Sequence, residues 1–149
     1  MEKRYRKNVA AVIVNSEGQL LACQRADEFG TWQLPQGGID DDETAEVAVL
    51  RELQEEIGTR AVRLLGCLDT PIRYEWPREF IPGFCGQEQV YFLVELLADA
   101  VIDLESCQPP EFRDFRWMAV DEFLELTSDF KKAAYKQALQ ELQLKFGLW

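Results

Sequence analysis

The N-terminal part of the chain alternates short apolar runs with turn-forming residues. Residues 8–14 read NVAAVIV, and the polar and turn-forming residues 15–18 follow them directly. A valine-rich run that ends in this way predicts a buried strand and a turn. Residues 19–25 form a second extended segment, so we expect the two strands to pair as a hairpin.

Helical spacing of apolar residues marks one central and one C-terminal segment. The central helix is predicted over residues 44–57, with acidic residues before it and Gly58 in the C-cap position. A short helix is predicted over residues 121–126 and a terminal helix over residues 130–146. Gly37 and Gly38 are predicted to form a tight loop. Further strands are predicted at residues 32–34, 62–68, 72–76, 89–97 and 112–120. This order predicts a single α/β domain spanning residues 1–149.

The charged residues narrow the chemistry that the chain can perform. It has no histidine, and 27 Asp and Glu residues against 16 Lys and Arg give a net charge of −11. Catalysis must therefore use carboxylates, lysine, tyrosine or a metal, and carboxylates bind hard cations such as magnesium or manganese. Such an acidic surface excludes broad binding of long duplex nucleic acid.

The sequence also indicates where the protein is located and whether its cysteines are oxidised. No apolar run reaches the roughly 20 residues that span a membrane, and the charged N-terminus lacks the core of a signal peptide. We therefore expect a cytoplasmic protein with no membrane partner. The 4 cysteines form no C-x-x-C pair and are expected to be reduced thiols.

Three glutamates lie on one face of the predicted central helix. Glu52, Glu55 and Glu56 stand at positions i, i+3 and i+4, so they share an arc of about 100°. Like charges at this spacing repel each other, and no lysine stands at i+4 to relieve the repulsion. Two interpretations stay open on these residues alone. The face is either a solvated acidic surface or a site that holds one or two divalent cations against phosphate oxygens.

The residues around these glutamates favour the cation site. They resemble the Nudix box, G-x5-E-x7-R-E-U-x-E-E-x-G-U, where U is a bulky aliphatic residue. The matching positions are Gly37, Glu43, Arg51, Glu52, Leu53, Glu55, Glu56 and Gly58, and Thr59 departs from the final U. The resemblance implies an α/β/α sandwich around a mixed sheet, in which the box forms a loop–helix–loop.

The resemblance also implies roles for the box residues. Glu52, Glu55 and Glu56 would bind Mg²⁺, with Mn²⁺ as a possible substitute, and one of them or a nearby glutamate would be the general base. Glu43 and Arg51 would pair structurally and hold the loop against the helix.

Further motifs resemble one branch of the family, the bacterial RNA 5′-pyrophosphohydrolases and related asymmetric dinucleoside tetraphosphate hydrolases. They are YRKNV, WQLPQGGI, GQEQVYFL and PEF, at residues 5–9, 32–39, 86–93 and 110–112. Lys7 and Val90 depart from that branch's usual proline and lysine. The resemblance implies Glu111 as a further metal ligand or base, and these substrate-binding residues: Arg6, Arg25, Gly37, Tyr74, Gln87, Phe130 and Lys131.

Within that group the resemblance divides the work. Arg25 and Gln87 would contact the polyphosphate, Arg6 and Tyr74 would lie beside the nucleotides, and Phe130 with Lys131 would form a base pocket. The expected partner is a nucleoside polyphosphate or an RNA 5′ end, and the expected activity is removal of pyrophosphate from 5′-triphosphorylated RNA. Hydrolysis of diadenosine tetraphosphate to ATP and AMP is the alternative reaction. A non-catalytic nucleotide or RNA-end binding module is the alternative of another class.

Overall fold

Two β-sheets and three helices make up residues 2–148, the part of the chain that our computed structural model describes. The strands are β1 (Tyr5–Ile13), β2 (Leu20–Arg25), β3 (Trp32–Gln33), β4 (Gln36–Gly38), β5 (Val62–Cys67), β6 (Ile72–Glu75), β7 (Gly86–Leu96) and β8 (Phe112–Met118). The helices are α1 (Ala45–Ile57), α2 (Val120–Leu126) and α3 (Asp129–Phe146).

The larger sheet is organised around β7. Strand β1 runs parallel to β7 along one edge, while β5 and β6 pair antiparallel with successive parts of the other edge. Strand β4 adds to the far side of β1 in the antiparallel sense. The smaller sheet has the order β3-β2-β8 and is antiparallel. The prediction of a mixed sheet is confirmed.

Both faces of β1 are covered, because its side chains alternate between two cores. Val9, Ala11 and Ile13 belong to the core that α1 completes. Ala10 and Val12 belong to the core that α3 completes. Helices on opposite faces of a sheet make an α/β/α sandwich, which confirms the predicted fold class.

The caps of α1 explain why this helix begins and ends where it does. The Thr44 hydroxyl accepts a hydrogen bond from the backbone N–H of Val47 at 3.2 Å, which satisfies one of the first unpaired amides. Gly58 ends the helix at φ +76° in the left-handed region, so the predicted C-cap is confirmed.

Two local predictions were wrong. β2 does not form a hairpin ladder with β1, because it hydrogen-bonds to β3 and β8 instead. The turn between β1 and β2 is closed by a Val14–Leu20 bridge and by a hydrogen bond from Asn15 to Gln19. Gly37 and Gly38 do not form a tight loop but lie in β4, where they pair with Val9 and Asn8 of β1. None of the helices in residues 2–148 has the length and apolar character of a membrane span.

Two glycine caps offer a matched test of packing around α1. A Cβ at Gly58 would lie 2.4 Å from the Asp103 carbonyl oxygen, whereas one at Gly147, at φ +64°, would meet no described atom within 4 Å. Gly147→Ala should lower the free energy of unfolding by about 1 kcal/mol, the cost of a left-handed alanine. Gly58→Ala should lower it clearly more, because a clash is added to the same backbone cost. Urea unfolding followed by tryptophan fluorescence measures both losses, and equal losses would refute the clash.

Candidate active site

One cavity of about 420 Å³ collects the side chains that the sequence placed at the metal and the substrate. All eleven of those residues line it: Arg6, Arg25, Gly37, Glu52, Glu55, Glu56, Tyr74, Gln87, Glu111, Phe130 and Lys131. They come from β1, β2, β4, α1, β6, β7, α3 and the segment before β8. Glu43 and Arg51 are not among the lining residues.

Strand register brings three of these side chains into one row. Arg6 on β1 is directly opposite Gln87 on β7, and Gln87 is directly opposite Tyr74 on β6. Residues opposite each other on neighbouring strands project to the same side of a sheet. The row of Arg6, Gln87 and Tyr74 therefore forms one wall of the cavity.

The Arg51 guanidinium ties the acidic helix face to β4 and to the loop before α1. It makes a bidentate contact with Glu43, at 2.6 Å from Nε and 2.8 Å from Nη2, and Nη2 also donates to the Gly38 carbonyl at 2.8 Å. Nη1 donates to Glu52 at 2.9 Å and lies 3.4 Å from Glu55. The bond from Arg51 lowers the pKa of Glu43 to about 2. Arginine rather than lysine thus relieves the repulsion among the glutamates.

Gly37 and Gly38 leave room for two of the site's charged groups. A Cβ at Gly37 would lie 2.0 Å from the carboxyl carbon of Glu52, and one at Gly38 would lie 2.1 Å from a guanidinium nitrogen of Arg6. A side chain in either place would have to displace the charged group beside it. The absence of a Cβ on β4 therefore lets a carboxylate and a guanidinium approach the strand from its two faces.

The three glutamates differ greatly in exposure. The side chain of Glu55 is 49% exposed, that of Glu52 only 13%, and Glu56 is 5% exposed as a residue. The Glu56 carboxylate accepts a hydrogen bond from the backbone N–H of Gln36 at 2.9 Å. Burial, and then the charges of Glu52 and Glu111, raise the pKa of Glu56 well above its usual value. The solvated-surface interpretation is therefore wrong for two of the three.

The carboxylates of Glu52, Glu55 and Glu56 suit a hard cation, although in this structure they are hydrogen-bonded to protein groups. Within residues 2–148 no three acidic or cysteine side chains are arranged as a ready-made metal site. Arg51 holds Glu52 and Glu55, and the Gln36 amide holds Glu56. A cation that drew these carboxylates together would replace Arg51 as the neutralising charge. Oxygen ligands in this number and of this type fit magnesium and manganese.

Besides Arg6, two basic side chains line the same cavity. Arg25 makes a bidentate ion pair with Asp27 at 2.8 and 2.7 Å. Lys131 is 5% exposed, and its ammonium donates to the Gln33 side chain at 2.9 Å. Burial, and then the nearby Arg25, lower the pKa of Lys131 to about 8. The cavity thus holds both signs of charge, as a site for a metal–phosphate complex requires.

A buried polar chain adds residues that the sequence analysis missed. The Tyr135 hydroxyl donates to Gln36 Oε1 at 2.6 Å, and Gln36 Nε2 lies 3.3 Å from the Tyr74 hydroxyl. Gln87 Nε2 donates to the same hydroxyl at 2.9 Å, while Gln87 Oε1 has no partner among the described residues. Gln36 stands inside the WQLPQGGI motif, which was the one available signal for it.

A run of four aromatic rings borders the cavity. Ring centroids are 6.1 Å apart for Tyr74 and Phe130, 6.0 Å for Phe130 and Phe80, and 5.5 Å for Phe80 and Trp76. All four line the cavity. Trp76 and Phe80 were not singled out from the sequence, because they lie at a strand end and in a loop without periodicity. The run offers flat apolar faces next to charged groups, as stacking of nucleobases requires.

Comparison with known proteins identifies the family of the chain. A NUDIX domain matches residues 4–140. The chain is 40% identical over 154 residues to an RNA pyrophosphohydrolase of Sulfurovum sp. (strain NBC37-1), covering 99% of this chain and 98% of that protein. It is 38% identical over 151 residues to one of Erythrobacter litoralis (strain HTCC2594), covering 94% and 92%.

A solved structure supports the fold. The structure of the E. coli dihydroneopterin triphosphate pyrophosphohydrolase superposes with a TM-score of 0.72 at 21% identity, covering 93% of this chain and 99% of that one. The domain match and the two curated relatives confirm the family resemblance read from the box. With a domain match over most of its length and full-length relatives at these identities, the chain belongs to the NUDIX family.

Proposed function

We propose that this protein hydrolyses the 5′-triphosphate end of RNA, leaving a 5′-monophosphate and releasing pyrophosphate. The observation that carries the proposal is the composition of one cavity, in which helix carboxylates, basic side chains and a run of aromatic rings lie together. Relatives named RNA pyrophosphohydrolases, 40% and 38% identical over almost the whole chain, support this choice of substrate.

NUDIX hydrolases generally use divalent metal ions. In this chain we assign Mg²⁺, with Mn²⁺ as a possible substitute, to Glu52, Glu55, Glu56 and Glu111, which line the cavity together. When bound, such a cation places positive charge against phosphate oxygens and acidifies water. A carboxylate of the same set takes the proton of the attacking water. Glu43 and Arg51 act as positioning residues, because the Arg51 guanidinium fixes β4 against α1.

The basic residues bind the polyphosphate. Arg25 presents a fork that matches two phosphate oxygens, and a phosphate would take the place that Asp27 holds in the free protein. Lys131 adds a charge at the same cavity, and Gln87 contributes its amide. Burial of Lys131 keeps its ammonium poorly hydrated, which strengthens its attraction to an anion.

The aromatic wall binds the first nucleotides. Tyr74 and Phe130 offer ring faces on which unpaired bases stack, and Arg6 adds a planar guanidinium from β1, on the other side of β7 from Tyr74. Gly37 keeps the floor of the cavity open, because any side chain there would displace Glu52. These side chains stack on the flat faces of bases, which are accessible in single-stranded RNA ends and covered by neighbouring bases in duplexes.

The substrate assignment is tested by offering purified protein two substrates with Mg²⁺. We expect kcat/KM to be higher for 5′-triphosphorylated single-stranded RNA than for diadenosine tetraphosphate. A higher value for diadenosine tetraphosphate, with ATP and AMP as products, would replace the proposal by the alternative reaction. RNA binding without any product would instead indicate a binding module.

Glu56→Gln should lower kcat by about 10²–10⁴-fold, because an amide neither binds a hard cation strongly nor accepts a proton. Its side-chain oxygen still accepts the Gln36 N–H, and a buried charge is removed, so the melting temperature should be at least as high as in the wild type. Glu46→Gln, at an exposed first-turn position of the same helix, is the matched control. Near-normal turnover by Glu56→Gln would sink the assignment.

Lys131 predicts a pH dependence of substrate capture. Its pKa of about 8 means that the ammonium is charged below pH 8 and loses its proton as the pH rises through that value. Because kcat/KM reports the free enzyme, kcat/KM for the RNA should fall above about pH 8. The charged groups acting on Lys131 are Arg25, Glu56, Glu28 and Asp27.

Two variants isolate the contribution of this lysine. Lys131→Met should have a lower kcat/KM below pH 8 and should not show the fall of kcat/KM above that pH. Lys136→Met, on the exposed face of α3, should still show this fall. A decline of the same size in Lys131→Met would assign the titration to another group.

A further inference from the structure

A second groove of about 540 Å³ adjoins the active-site cavity. Trp76 lines both of them. The groove residues used below are Lys3, Arg4, Trp76, Arg78 and Phe84. This groove, which we call the basic–aromatic groove, is continuous with the proposed nucleotide wall, because Trp76 ends the run of rings that begins at Tyr74.

Arginines lie on aromatic rings at two points along this path. The guanidinium carbon of Arg4 is 4.9 Å from the centre of the Phe84 ring, and that of Arg78 is 5.6 Å from the centre of the Phe80 ring. A guanidinium above a ring leaves its other side open to solvent, where it can stack on a base or bond a phosphate. The two pairs thus extend the aromatic wall with charged platforms.

Three basic side chains (Lys3, Arg4 and Arg78) and three acidic ones (Glu2, Glu75 and Glu79) line the groove, and they differ in their partners. Lys3 is paired with Glu75 at 3.0 Å, and Glu79 accepts a hydrogen bond from the backbone N–H of Gly83. Across residues 2–148, neither Arg4 nor Arg78 makes a salt bridge, and both are exposed. In a chain with a net charge of −11, two exposed arginines without carboxylate partners remain available to an external anion.

We propose that the basic–aromatic groove holds the single-stranded RNA that follows the nucleotides in the active-site cavity. The inference rests on the proposed function and extends it to the strand downstream of the 5′ end. Arg4 and Arg78 would contact phosphates, while Trp76 and Phe84 offer faces for unpaired bases, a combination typical of single-strand binding. The groove would make a longer RNA a better substrate than a dinucleotide.

Substrate length provides the test. We would measure kcat/KM with Mg²⁺ on 5′-triphosphorylated RNAs of two and of roughly ten nucleotides, the size of a typical single-strand site. The wild type should prefer the longer RNA. Arg4→Gln/Arg78→Gln should lose about tenfold on the longer RNA and less than about twofold on the dinucleotide, since only the longer strand reaches the groove.

Measuring kcat/KM at several salt concentrations provides a result that a folding defect would not produce. With the longer RNA, the slope of log kcat/KM against log salt should become shallower by roughly 0.7 for each phosphate that the variant no longer binds. Arg60→Gln/Lys136→Gln removes two positive charges at exposed positions outside both cavities and is the matched control. It should leave the preference for length and the slope unchanged.

The outcomes separate the two proposals. Wild-type turnover of both RNAs with no preference for length, or equal losses on both RNAs in Arg4→Gln/Arg78→Gln, would overturn the groove and leave the proposed function standing. An equal loss in the control pair would overturn it too, because net charge alone would then explain the effect. If the wild type turned over neither of the two RNAs, the proposed function would be overturned, and this inference with it.

Discussion

The site depends on the positive charge of one side chain, the guanidinium of Arg51. Arg51 shares its guanidinium among Glu43, Glu52, Glu55 and the Gly38 carbonyl, so a single side chain joins α1, β4 and the loop between them. Without it, a turn of helix rich in carboxylates would repel itself and drift from the strand. The Gln36 backbone N–H donates a hydrogen bond to the Glu56 carboxylate, which offsets part of the cost of burying this carboxylate beside the cluster.

Local signals in the sequence were sufficient for α1 and its surroundings. Helical spacing, the acidic residues before the helix and Gly58 placed it to within one residue, because helix ends are decided by neighbouring atoms of the same segment. The partners of β2 were out of reach for the same reason. Alternating apolar residues identify a strand, but β2 bonds to β8, which lies far along the chain, and no local pattern names that partner.

The prediction of the site had the same limit, because local patterns do not show which distant segments come into contact. Box spacing put the three glutamates on one face, and the resemblance supplied Arg6, Gln87 and the other substrate residues that line one cavity in the structure. How deep Glu56 lies depends on how closely β4 packs on α1, which spacing on a helix does not reveal. The bond from Tyr135 to Gln36 and the edge contact of Phe80 with Phe130 arise between segments that are distant in the sequence, so they could only be read from the structure.

The parallel pairing of β1 with β7 has a consequence for how the protein is made. Asn8 and Gln89 bond to each other across 81 residues of sequence, and the intervening chain must close before that pairing gains anything. On the ribosome, β1 is an apolar strand without its main partner until more than half of the chain has been synthesised. Arg6 and Gln87 become neighbours only at that moment, so the catalytic pocket is among the last things a nascent chain acquires.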